Sequence, residues 1–129
     1  LEHFERVLSI LKSRGKKLQK LASPPYGAIL AKNISKDEPT RMLDSFLVAG
    51  LIEARSHERM ALLSIHSHDQ ELRKLYADLL KSEARHFGIY WKLADERFDR
   101  NILNSRLESL ARVESDALVE MHQEPRMHS

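Results

Sequence analysis

Glu83-Ala84-Arg85-His86 places a carboxylate and an imidazole three residues apart, a spacing that in a helix sets both on one side, a turn apart. Apolar residues recur around them at threes and fours: Leu72, Leu75, Tyr76 and Leu79 before, Tyr90 and Leu93 after. Glu83 and His86 therefore interrupt an inward-facing stripe, where an unpartnered carboxylate is costly. A metal must offset that cost, or an ion pair, for which Arg55 is the obvious partner. Glu-x-x-His is half of the ligand set of a carboxylate-bridged di-metal site in a helix bundle, although the same spacing also arises by chance on solvated helix faces. A second stripe, Leu43, Phe46 and Gly50, leads to Glu53, with His57 and Met60 beyond. Gly50, one turn before Glu53, lets a partner helix or a ligand come close. His57 reads as a half-buried or exposed imidazole, and Glu58 and Arg59 as surface charges or supports of the ligands. His3 shares a face with Val7 and Ile10; it gains meaning only if a Glu stands three residues earlier, upstream of Leu1.

The elements that must position these residues are helical, because apolar positions recur at three and four and no strand-like alternation is present. The first segment spans residues 1–21, with Phe4, Val7, Leu8, Leu11, Leu18 and Leu21 on one side and Gly15 as a weak point. Pro24-Pro25 breaks it, and residues 23–39 connect, with a short helical turn at 28–31. Asp37-Glu38-Pro39-Thr40 signals a helix over 39–65. A polar turn at 66–69, in which Asp69 or Ser67 can cap, leads to a helix ending near residue 98. So short a loop makes these two helices antiparallel. Glu53 and Glu83 each lie about 15 residues from the turn, hence about 22 Å along their axes, at the equal depth that a shared site requires. A last helix covers 101–121, with Leu103, Leu107, Leu110, Leu118 and Met121 on one side, and residues 123–129 form an irregular tail. Nothing divides the chain, so 1–129 reads as a single domain.

The composition narrows the chemistry. The chain has 129 residues, 42% apolar and 31% charged, with no cysteine. Disulfide scaffolds, cysteine zinc sites, iron–sulfur clusters and thiol nucleophiles are excluded, and any metal must be held by His, Asp or Glu. No uninterrupted run of 18 apolar residues occurs, so neither a spanning helix nor a secretory signal is expected, and the default is a soluble cytoplasmic protein with no membrane partner. With 21 Lys and Arg against 19 Asp and Glu, the net charge of +2 does not by itself mark a nucleic-acid binder.

Residues 43–59 (LDSFLVAGLIEARSHER) and 82–87 (SEARHF), with the opening 3–8 (HFERVL) and the closing 124–129 (EPRMHS), resemble the bacterial tRNA hydroxylase family that acts on 2-methylthio-N6-isopentenyladenosine beside the anticodon. The resemblance covers essentially the whole chain. It implies a ferritin-like four-helix bundle whose non-haem di-iron centre is held by four Glu and two His: a Glu on the first helix, Glu-x-x-His on the second, a Glu on the third and Glu-x-x-His on the fourth. Glu53 matches the third helix, and Glu83 and His86 the fourth. His3 matches the histidine of the second helix. Its partner Glu falls before Leu1, and the first helix has no counterpart. The expectation is an N-terminally incomplete bundle with an extra C-terminal helix, whose exposed stripes make it fold poorly or oligomerise alone.

The implied function is an O2-dependent di-iron monooxygenase, an oxidoreductase of tRNA modification, hydroxylating the terminal carbon of the prenyl group. Two iron ions are the expected cofactor, with His3, Glu53, Glu83 and His86 as ligands and Glu53, Glu83 and His86 as the catalytic set. Arg55 and Arg85 would neutralise or orient ligand carboxylates. The implied partners are the tRNA anticodon loop, O2 and an electron-donor protein of reductase or ferredoxin type. Lys12, Arg14, Lys16, Lys17 and Lys20 are candidate phosphate contacts, against the plainer reading of a solvated helix end. Tyr26 and Tyr90 are candidates to stack on a base, Tyr90 also to sit in the core or line the path to the metals. Two rivals stand beside this reading: a ferritin-like metal-binding or ferroxidase protein without tRNA activity, and a metal-free helical interaction domain.

Overall fold

The start signal at residues 37–40 produces the longest element. In the computed structural model, which describes residues 1–120 and 124–128, helix α3 runs Thr40–His66. The Glu38 carboxylate caps it by accepting from the Met42 amide at 3.0 Å. One face of α3, with Leu43, Leu47, Val48 and Leu51, is buried together with Tyr26 and Leu30 of α2 (Tyr26–Lys32), Ala94 of α5 (Ile89–Arg97) and Leu103 and Leu110 of α6 (Arg100–Val119). This is the core, and each fully buried leucine contributes roughly 2 kcal/mol.

The opposite face of α3 meets α4 (Gln70–Glu83), which Asp69 caps by accepting from the Leu72 amide. The tight connection at 67–69 makes the pair antiparallel. Helix α1 (Glu2–Ser13) buries no residue and is tied to the neighbourhood of α4 by charge: Arg6 to Asp78 at 2.8 Å, and Arg14 to Asp69 at 2.5 Å and Glu71 at 2.6 Å. Asp99 caps α6 through the Asn101 and Ile102 amides. The protein is thus all-α, with helices and turns and no strand among the described residues, and none of the described helices is long and apolar enough to cross a membrane.

Several boundaries differ from the periodicity. The first helix stops at Ser13, not near 21, because Gly15 takes φ +65° and turns the chain out of the helix; Leu18 and Leu21 are left exposed. The helix expected to reach residue 98 ends at Glu83. The amides of His86 and Phe87 both donate to the Glu83 carbonyl, and Gly88 at φ +86° redirects the chain into α5. The turn expected at 28–31 is a full two-turn helix, α2. The last helix ends at Val119; Met121, Gln123 and Ser129 lie outside the described residues.

One buried charge braces the core. Asp44 is wholly buried, and its oxygens accept from Arg106 at 2.8 and 2.7 Å and from the amide and hydroxyl of Ser35. Burial pushes its carboxyl up, but the Arg106 and Ser35 hydrogen bonds outweigh burial and hold it below the usual carboxylate value.

Candidate metal centre

Between α3 and α4 lies a cavity of about 290 Å³. Glu53, Ser56, His57 and Met60 contribute from α3, Leu79 and Glu83 from α4, and Phe87 from the turn beyond it. Glu53 and Glu83 therefore do face one space, at the equal depth that counting from the turn requires. Glu53 Oε2 is buried and meets no hydrogen-bond partner, so this cavity wall carries an acceptor without a partner in the chain. His3 of α1 brings Nδ1 to 3.6 Å from Glu83 Oε1. His57 packs its ring against Phe87, with centroids 4.5 Å apart.

Where each expected site residue stands follows from these elements. His3, Glu53 and Glu83 converge on the α1–α3–α4 side of the molecule. His86 is exposed in the turn after α4 and is not part of the cavity wall, because α4 ends at Glu83 and the helical register that would stack the pair is lost. Among the described residues no three His, Cys, Asp or Glu side chains come together closely enough to hold a metal ion. Arg85 is exposed in the same turn. Arg55 turns away from the carboxylates, to Glu114 on α6 at 2.7 Å and to Glu58; it is not the partner of Glu83, and its guanidinium is held above its ordinary value, first by the hydrogen bond to Glu114.

Of the basic run, only Lys12 and the end of α1 are helical. Lys16, Lys17 and Lys20 are exposed on the chain beyond Gly15, and Arg14 is engaged with Asp69 and Glu71 and so is not open to a phosphate. Tyr26 is buried, donates to Glu114 at 2.5 Å and stacks on His128, which removes it as a base-stacking surface. Its hydroxyl is pushed above the ordinary tyrosine value by burial first and then by that hydrogen bond. Tyr90 is exposed at the start of α5; the aromatic ring packed against Gly50 is that of Trp91.

Two functional features escaped the sequence reading. Glu114 is buried on α6, and its signal was present: it continues the stripe of Leu107 and Leu110 at helical spacing, as Glu53 continues that of Phe46 and Gly50. Ser56 is a cavity wall whose hydroxyl lies 2.8 Å from His128 Nε2, a contact across 72 residues that no local pattern announces.

The family model for tRNA-(MS[2]IO[6]A)-hydroxylase (MiaE) matches residues 1–129. The chain belongs to this family. It is 38% identical over its full length to the tRNA 2-(methylsulfanyl)-N(6)-isopentenyladenosine(37) hydroxylase of Pseudomonas putida and 32% identical to that of Salmonella typhimurium. It spans 62% and 47% of those relatives' lengths. A solved structure titled protein 43 with aldehyde deformylating oxygenase activity, from Synechococcus, superposes with a TM-score of 0.91 at 61% identity, covering 99% of this chain and 65% of that one. The ferritin-like architecture implied by the family resemblance is therefore the architecture of this chain.

Proposed function

We propose that the cavity between α3 and α4 is the carboxylate side of an iron site in an O2-dependent enzyme that hydroxylates the prenyl group of 2-methylthio-N6-isopentenyladenosine in tRNA, in the cytoplasm. The observation that carries this reading, beside family membership, is that Glu53, whose buried Oε2 has no hydrogen-bond partner, lines the same cavity as Glu83. An all-oxygen and nitrogen donor set suits iron. Glu53 and Glu83 would hold it, with His3 beside Glu83 as the nitrogen donor within reach; the turn after α4 keeps His86 outside the cavity wall, and a centre of two iron ions would need His86 and further ligands to join. When bound, iron supplies the reduction of O2 that side chains alone cannot perform. The chain's own residues do the rest. Glu53 and Glu83 would fix the position of the site. Met60, Leu79 and Phe87 give the cavity apolar walls that fit a branched hydrocarbon chain. Lys12, Lys16, Lys17 and Lys20 would meet the phosphates of the anticodon loop, and an electron-donor protein supplies the reducing equivalents.

The test is the full-length protein with iron, O2, a reductant and tRNA lacking the hydroxyl. A new hydroxylated nucleoside, lost in Glu53→Gln and Glu83→Gln, is the expected result. Iron oxidation without nucleoside product would overturn the tRNA reading in favour of a ferroxidase, and fewer than about one iron per chain would overturn the metal site itself. A second reading is favoured by the 61% identity to a protein titled with aldehyde deformylating oxygenase activity: the same apolar cavity would take an aldehyde and release its formyl carbon. Offering an aldehyde to the same preparation, and measuring formate, separates the two.

A further inference from the structure

We propose that the turn between α4 and α5 is an RNA-binding element, with Phe87 as the ring on which the modified base stacks at the mouth of the cavity and Arg85 and Lys81 as contacts to the flanking phosphates. This inference rests on the tRNA reading above and names the surface through which that substrate reaches the cavity. Phe87 stands in two environments at once. It lines the cavity between α3 and α4, yet it is 47% exposed, so its ring lies at the opening. His57, another wall of the cavity, covers part of that ring, with centroids 4.5 Å apart and planes 37° from parallel. The outward apolar surface continues beyond it: Ile89 is 47% and Tyr90 36% exposed, whereas Trp91 packs in against Gly50. Large apolar side chains exposed side by side at one turn mark a contact surface, unlike the scattered single residues of an ordinary exterior.

Charge decides the kind of partner. Lys81 in the last turn of α4 and Arg85 just beyond it are exposed, and neither makes an ion pair among the described residues. Asp78, the acid before them on α4, is paired with Arg6 at 2.8 Å. Over residues 81–91 the one acid is Glu83, which lines the cavity. Exposed rings beside unpaired cations match a single-stranded nucleic acid, whose bases offer π-faces and whose backbone offers phosphates. A second copy of the same turn would instead set Lys81 and Arg85 against like charges. The chemistry of the substrate fixes the order of contacts. The prenyl chain leaves the base at N6, on the edge of the purine, so a prenyl group inside the apolar cavity leaves the purine ring at the mouth, where Phe87 stands. A base drawn out of the loop loses its stacking neighbours, and an aromatic side chain replaces them.

The test is binding by the full-length protein, without reductant so that the RNA is not consumed, to anticodon stem-loops with and without the methylthio and prenyl groups. Wild type should prefer the prenylated stem-loop. Phe87→Leu, which keeps an apolar wall, should weaken that complex about 10-fold, and Phe87→Trp, which keeps a stacking face, should leave it tight. Arg85→Gln and Lys81→Gln should weaken both stem-loops alike and each reduce the slope of log affinity against log salt by roughly 0.7. Wild-type affinity in Phe87→Leu, or a salt slope indifferent to both cation changes, would overturn the assignment while leaving the tRNA reading intact. A concentration-dependent dimer lost in Phe87→Leu, at unchanged RNA affinity, would give the turn to a second copy of the chain and overturn it as well. A wild-type protein that binds neither stem-loop would overturn the tRNA reading, and the assignment with it.

Discussion

At the scale of single residues, the proposed iron site carries a cost for the chain. Glu53 Oε2 is buried without a hydrogen-bond partner, a desolvation penalty that a bound cation would offset. Glu53→Gln should therefore stabilise the metal-free protein by on the order of 1 kcal/mol while removing iron binding; denaturant titration and metal analysis of the same samples check both, and a destabilised Glu53→Gln would mean that the carboxylate has a structural role. Glu53 and Glu83 were legible because each stands in an apolar stripe, and a carboxylate in such a place needs a reason. Glu114 obeys the same rule on α6, where it accepts from Tyr26 and Arg55. The pairing partners themselves were not legible. Arg55 was available to Glu83 by composition, yet its direction on α3 sends it to α6, and only the packing of three helices decides that.

At the scale of elements, α3 was legible because its start signal, period and capping acid agree, and α4 begins where Asp69 caps it. The ends were less so, since a glycine inside a helical pattern marks a stop only if the chain enters positive φ there, as Gly15 and Gly88 do and Gly50 does not. Gly50 matters for another reason: a Cβ on it would lie 2.7–2.9 Å from the Trp91 ring. Gly50→Ala should cost about 1–3 kcal/mol through overpacking, overriding the usual gain from replacing a helical glycine. Thermal unfolding of Gly50→Ala beside Gly50→Ala/Trp91→Leu checks this, since the second change should recover stability. The α4 cap carries a pH dependence. The Arg14 hydrogen bond, aided by the Leu72 amide, lowers the Asp69 carboxyl to about 2. A carboxylate held below its unfolded value of about 3.9 contributes stability that is complete above that value and is lost as pH falls through the folded one. The protection factor of the Leu72 amide, taken against the intrinsic exchange rate at each pH, should hold at pH 5 and fall towards pH 2; protection already lost at pH 5 would contradict the cap.

At the scale of the whole molecule, two kinds of cohesion are separated in space. The core on one side of α3 is apolar, whereas α1 buries nothing and leaves Leu1 and Phe4 exposed, holding to α4 and its cap through Arg6, Arg14 and His3. Exposed ion pairs of this kind are weak and screened by salt. Hydrogen exchange should therefore show α1 losing protection near 1 M NaCl while α3 and α6 keep theirs; uniform protection across the chain would show that α1 is docked by more than charge. The resemblance carried the overall architecture, but not this division of labour, which depends on which stripes find partners. The place of Trp91 gives the molecule an optical property. It is the single tryptophan, and its ring rests on Gly50, one helical turn before Glu53. A transition-metal ion at the carboxylates would sit near the one indole of these 129 residues, so that a fall in its emission on loading would report filled sites without any dye or label.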